Sequence, residues 1–195
     1  MKNLLLTVIV SLASTFVMAY SIVSRQEVVN VIELDPERPS ALIITPTKTK
    51  VEIPSTNQNK LFLTSIGRRE SSNRYNIVNK WGYMGKYQFG RKTLNALGYK
   101  NISNNQFLNS PKLQEEAMLK LLRHNKHILR REIKKYCGTE KHGVYITESG
   151  LLAAAHLAGP GNVKKWLRRG KRFRDGLGTD LVEYLELFGN YKISV

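Results

Sequence analysis

Ser110-Pro111 opens the stretch that most restricts the architecture of this chain. Serine caps a helix, and proline is tolerated at its first position because the missing N–H would have no partner there. Behind them Leu113, Ala117, Leu121, Leu122, Ile128, Leu129, Ile133 and Tyr136 recur at helical spacing until Cys137-Gly138. The longest helix is expected there, with those residues on its inner face. Leu61, Phe62, Ser65, Ile66 and Arg69 define an earlier helix face that runs directly into Glu70. A short helix through Thr93, Leu94 and Leu97 is stopped by Gly98. Thr147 caps an apolar helix from Leu151 to Ala158, Gly159-Pro160-Gly161 breaks it, and a short helix around Val163, Trp166 and Leu167 follows. Asp180-Leu181-Val182-Glu183 has the spacing of a capping box and starts the last helix. The expected fold class is mainly α, one domain from Lys60 to Val195.

The first 59 residues read differently. Lys2 precedes an uncharged run from Leu4 to Met18, and Val17-Met18-Ala19 places small residues where a signal peptidase cuts, so residues 1–19 are expected to be a signal peptide. The run is short for a membrane span, so an exported protein without a stable span after cleavage is expected. Residues 20–59 are rich in Val, Ile, Thr and Pro, with Pro36, Pro39, Pro46 and Pro54 interrupting short apolar runs, which suits an extended arm.

Charge separates the same two regions. The chain carries a formal net charge of +16. Residues 1–59 contribute five basic and five acidic groups, so the whole excess lies in residues 60–195. The runs Lys134-Lys135, Lys164-Lys165, Arg168-Arg169 and Lys171-Arg172-Phe173-Arg174 carry much of it. An excess of this size fits a polyanionic partner. Nucleic acid would satisfy the charge, but the export signal argues against it. Cys137 is the only cysteine, so no disulfide forms within the chain. His124 and His127 stand i,i+3 without cysteine partners, and neither a metal site nor a cofactor is expected.

Carboxylates are scarce in this basic region, which draws attention to Glu70 at the end of its helix. Tyr75, Trp81, Tyr83, Tyr87 and Phe89 follow within twenty positions, among Gly82, Gly85 and Gly90. A carboxyl among aromatic groups holds its proton more tightly and can serve as a general acid, and flat rings suit a sugar. Arg68, Arg69 and Arg74 flank it and favour ionisation. From spacing alone two readings stand: an acid in a sugar cleft, or a surface glutamate paired with an arginine.

Glu70-Ser71, Gly85-Lys86-Tyr87-Gln88 and Ala155-His156-Leu157-Ala158-Gly159, in that order, resemble the three motifs of the soluble lytic transglycosylase family, which usually read Glu-Ser, Gly-Leu-Met-Gln and Ala-Tyr-Asn-Ala-Gly. The resemblance covers roughly residues 60–170 and implies a lysozyme-like domain acting on the MurNAc-β-1,4-GlcNAc bond of peptidoglycan. It implies that Glu70 is the single catalytic acid and base, that Ser71 lies close enough to orient its carboxyl, and that Gln88 lines the sugar groove. Tyr83 and Tyr87 are expected to offer faces to the sugar. His156 stands where the family has Tyr and Leu157 where it has Asn, and His156 is a candidate donor to the substrate or to Glu70. The implied mechanism uses the substrate's own N-acetyl group and closes a 1,6-anhydro ring.

A hydrolytic muramidase of the same fold would need a second carboxylate, for which Glu148, Asp175 and Asp180 are available. A non-catalytic peptidoglycan-binding protein is the third reading, with the changes at His156 and Leu157 in its favour. The expected partners are glycan strands and anionic wall polymers, in the periplasm or the cell wall.

Overall fold

The computed structural model describes residues 55–195; the expected signal peptide and the arm up to Pro54 lie outside them. The elements, in chain order, are α1 (Ser55–Ser71), α2 (Arg91–Ala96), α3 (Asn104–Leu108), α4 (Pro111–Tyr136), β1 (Glu140–Lys141), β2 (Val144–Tyr145), α5 (Glu148–Ala158), α6 (Pro160–Arg169) and α7 (Leu181–Leu187). The protein is mainly helical, as expected. The first helix starts at Ser55, so residues 55–59, expected to be extended, are helical. Neither proline nor glycine stands between Pro54 and Gly67, and nothing stops the turn from running back to the proline. The polar residues there carry no apolar period by which to recognise it.

The caps fall where the sequence places them. Ser110 accepts from the Leu113 N–H with Pro111 at the first position, Thr147 accepts from Gly150, and Asp180 and Glu183 close a reciprocal capping box. The expected break after Ala158 is a single residue: Gly159, at φ +77°, ends α5 and begins α6, and Gly161 lies inside α6. Two elements went unread. Ser103 and Gln106 form a second capping box at α3, and His142-Gly143, both at positive φ, turn the β1–β2 hairpin.

Helix α5 is the centre of the domain, packed against α4, α6 and α7. Its residues from Ser149 to Ala155 are all buried. A helix can be enclosed in this way because that stretch has no charged side chain, and its small residues let neighbours approach closely. A Cβ on Gly150 would lie 2.5 Å from the Leu185 carbonyl oxygen of α7. Around α5 the core takes Leu122 and Leu129 from α4, Val163, Trp166 and Leu167 from α6, and Leu181, Tyr184 and Leu185 from α7. Trp166 is thus a core residue, while Lys165, Arg168 and Arg169 occupy the exposed face of α6.

The inner face of α4 is less apolar than its sequence period suggests, since Gln114, Asn125 and Glu132 are buried along it. Helix α1 is tied to the C-terminal segment. Phe62 meets Phe188 and Tyr191 edge-on, Ser65 bonds the Tyr191 hydroxyl at 2.7 Å, and Asn59 exchanges two hydrogen bonds with Ser194. These contacts set the end of α1, and so Glu70, opposite α7.

Candidate active site

Glu70 stands in the last turn of α1 and lines a cleft of about 650 Å³. The walls come from the loop after α1 (Asn79, Trp81, Tyr83, Gln88, Phe89), from α4 (Leu121, His124, Asn125), from the end of α5 (Ala155, His156, Leu157) and from Asp175–Leu177. Glu70 is neither turned to bulk water nor held by an arginine. Its side chain is 15% exposed, the Tyr184 hydroxyl donates to Oε1 at 2.7 Å, and His156 Nε2 lies 3.4 Å from the same oxygen. Arg69 pairs instead with Glu183 at 3.4 Å, and Arg74 donates to the Ser71 carbonyl.

Burial is the largest single influence on the Glu70 carboxyl and raises its affinity for the proton. The hydrogen bond and charge of His156, the Tyr184 hydroxyl and the charge of Arg69 together outweigh it, and the carboxyl lies below the ordinary glutamate range. Burial thus acts in the direction expected of a carboxyl among aromatic groups, but it does not prevail. Of the five rings counted in the sequence only Trp81, Tyr83 and Phe89 line the cleft. Tyr75 and Tyr87 turn the other way and both donate to Glu115 at 2.6 Å. The Tyr184 hydroxyl, buried beside Glu70, is pushed far above its ordinary range.

The glycine-rich loop explains the division. Met84 and Phe89 exchange two backbone hydrogen bonds, and residues 85–88 turn between them with Gly85 at φ +73° and Gln88 at φ +50°. This tight turn sends Gln88 to one side and the neighbouring pair Lys86 and Tyr87 to the other. Gln88 faces the cleft, its Nε2 donating to the Gly85 carbonyl at 2.9 Å. Lys86 and Tyr87 point into the body of the domain, where Lys86 Nζ reaches Glu115 at 2.7 Å. Gly85 is required: a Cβ there would lie 2.0 Å from Gln114 Oε1, which accepts from the Lys86 N–H.

Among the residues expected to contact substrate, Tyr83, Gln88 and His156 line the cleft beside Glu70. Ser71 and Tyr87 do not. Successive helix residues point about 100° apart, so Ser71 cannot share the direction of Glu70. Its buried hydroxyl donates to the Lys86 carbonyl at 2.9 Å and braces the loop. Tyr87 is fully buried. Trp81 and Tyr83 remain nearly half exposed at the cleft mouth, and Leu177 more so. Exposed apolar groups gathered at one concave site mark a binding surface.

Among the three possible second carboxylates, only Asp175 lines the cleft. Its Oδ1 accepts from the N–H groups of Leu177 and Thr179. Glu148 pairs with Lys126, and buried Asp180 with Arg172 and Arg174. Sequence reasoning missed Tyr184, which lies 114 positions from its partner and carries no local signal. It also missed Glu115 and Asn125, whose helical positions give no hint of their neighbours. Among the described residues no group of three His, Cys, Asp or Glu could hold a metal ion. Burial and the nearby Glu148 charge push the Cys137 thiol up to about 11, which leaves it inert.

A helical domain with one enclosed glutamate at a helix end, facing an aromatic-lined cleft, defines a lysozyme-like class of protein. Residues 52–176 match the transglycosylase SLT domain, and the chain belongs to that family, whose general activity is lytic transglycosylation of peptidoglycan. No curated protein and no solved structure gives a match.

Proposed function

We propose that this protein is exported and cleaves the MurNAc-β-1,4-GlcNAc bond of peptidoglycan with Glu70 as its single acid and base, releasing 1,6-anhydro ends. The observation that carries this reading is the Glu70 carboxyl itself, enclosed in the cleft and held through one oxygen by Tyr184 and His156. Oε2 is then left to carry the transferable proton. The carboxyl is ionised more readily than usual. A bound glycan excludes water and strengthens the burial effect, which favours the protonated form at the moment the acid is needed.

The proton then passes from Glu70 to the bridging oxygen as the C1–O bond breaks, and the substrate's acetamido oxygen closes on C1. The Glu70 carboxylate next removes the proton of the muramyl 6-hydroxyl while O6 displaces the acetamido oxygen. The carboxyl ends protonated, and no water enters the product. Trp81 and Tyr83 supply faces for sugar stacking, and Gln88 a polar contact. The basic faces of α4 and α6 suit the anionic polymers of the wall.

Digestion of purified wall glycan and weighing of the fragments tests this directly. Fragments one water lighter than their hydrolytic counterparts are expected. Asp175 at the cleft favours the second reading, a muramidase in which that carboxylate positions water. Fragments with reducing ends, lost on Asp175→Asn, would establish it in place of the first.

His156 provides a test of the acid. Replacing it by Phe removes the strongest of the influences that lower the Glu70 proton affinity, leaving burial opposed only by Tyr184 and Arg69. The affinity rises, and the protonated acid survives to higher pH. The alkaline limb of the rate profile should therefore move up in His156→Phe. His156→Gln retains a donor without the charge and should move it less. An unmoved limb would separate His156 from the titration of Glu70.

A further inference from the structure

Two helices lead away from the cleft together. Helix α4 lines it with His124 and α6 with Pro160, and both run on to a second, smaller cavity of about 180 Å³ lined by Arg131, Glu132, Lys135, Tyr136 and Arg168. Arg131 lies seven residues past His124, about 10 Å along α4 and within about 20° of its direction. Arg168 lies eight residues past Pro160, about 12 Å along α6. Glu132 ties the two helices together here, pairing with Arg168 at 3.3 Å and Lys164 at 3.7 Å. Either helix, taken alone, puts this notch the same short distance from the cleft.

The charge of the notch is out of balance. Glu132 is buried and already shared by two cations, and its contact with Arg168 uses one guanidinium nitrogen. Arg131 and Lys135 are exposed, and among the described residues neither has a carboxylate within ion-pair distance. They stand i,i+4 on one helix face and repel each other. Two like charges side by side at a cavity, with a third held there from α6, make a site for a carboxylate or a phosphate. Volume decides between one anionic group and a polymer. The notch holds about 180 Å³, against roughly 30 Å³ for each water in the liquid. That is room for one acidic residue and too little for a length of phosphate polymer.

Peptidoglycan brings such a residue to the right place. The lactyl group of MurNAc carries a short stem peptide with several carboxylates. An extended chain spans about 3.3–3.6 Å per residue, so three or four residues cover roughly 10–14 Å. A strand seated in the cleft can lay its peptide along α4 and α6 and deliver an acidic residue to the notch. We infer that Arg131, Lys135 and Arg168 form a stem-peptide site, which makes peptide-bearing strands the preferred substrate over bare glycan. This rests on the reading of the cleft as a glycan groove.

The test measures kcat/KM of the full chain on soluble, uncross-linked murein strands and on the same strands stripped of their peptides by an amidase. Exposed ion pairs are individually modest, so two or three of them give the parent a preference of about five- to tenfold for the peptide-bearing strands. That preference should shrink as salt is raised. Arg131→Ala combined with Lys135→Ala should reduce it to less than about twofold, by slowing cleavage of the peptide-bearing strands alone. Arg131→Lys combined with Lys135→Arg, which keeps both charges, should restore most of it. Both side chains are exposed, so the melting temperature should move by no more than about 2 °C in either variant.

Equal rates of the parent on the two substrates would overturn the inference. So would a double alanine variant that is slowed equally on both, or one that keeps the preference. If that variant keeps the preference and instead loses binding to a soluble glycerol-phosphate polymer, the notch belongs to such a polymer and the inference is wrong. In all these cases the parent still cleaves, and the glycan reading stands. If the parent neither binds nor cleaves either kind of strand, the glycan reading fails and the inference with it.

Discussion

Glu70→Gln should reduce release of muropeptides from purified wall by about a thousandfold or more. A positioned general acid typically contributes about 10² to 10⁴ in rate, and here one carboxyl is assigned both protonation of the bridging oxygen and deprotonation of the 6-hydroxyl. Glutamine keeps the length of the side chain and can still accept from the Tyr184 hydroxyl, so the fold should survive with little change in melting temperature. Binding to wall sacculi should survive as well. That pairing of retained binding with lost turnover separates an enzyme from a binding protein that kept its groove. Equal glycan release by Glu70→Gln and the parent would end the catalytic assignment.

Glu115→Ala should cause the largest loss of stability. Glu115 accepts from Lys86, Tyr75 and Tyr87, and Lys86 is buried in its company. Removing the carboxylate leaves a buried ammonium and two tyrosine hydroxyls without their partner. Breaking a buried pair costs about 3–5 kcal/mol. Glu115 is itself nearly a third exposed, so a cost of about 2–4 kcal/mol is expected after allowing for solvent. That corresponds to a fall in melting temperature of roughly 5–15 °C.

The turn that carries Gln88 would loosen with it, so cleavage should fall too. Burial raises the proton affinity of Glu115, but its bonds to Lys86, Tyr75 and Tyr87 and the Lys86 charge more than offset this, and its carboxyl lies below the usual range. A depressed carboxylate stabilises the fold above its unfolded pKa, and that contribution is lost as pH falls through the folded one. The gap between parent and Glu115→Ala should therefore narrow in acid. A constant gap, or none at neutral pH, would show that the network adds nothing.

Local chemistry was legible in the sequence wherever it acts over a few residues. Ser110, Thr147 and Asp180 cap their helices because a side-chain oxygen reaches an N–H two or three residues ahead. Asn125 and Gln114 were not legible as inner residues, since a polar side chain on an apolar face looks like a break in the pattern. Ser71 and Tyr87 were read from motif position as substrate contacts. Helix geometry turns the first away from Glu70, and the tight 85–88 turn sends the second inward.

The sequence alone determined a mainly helical domain, the ends of most helices, the concentration of positive charge after residue 59 and the presence of Glu70 at a helix end. Those properties depend on spacing and on short-range hydrogen bonds. Only the tertiary structure decided the company Glu70 keeps. Tyr184 and His156 reach it because α5 and α7 pack together and the C-terminal segment is tied to α1, bringing side chains from two distant segments to one carboxyl. A proton affinity is the sum of such through-space effects, and through-space neighbours are not written in the order of the chain.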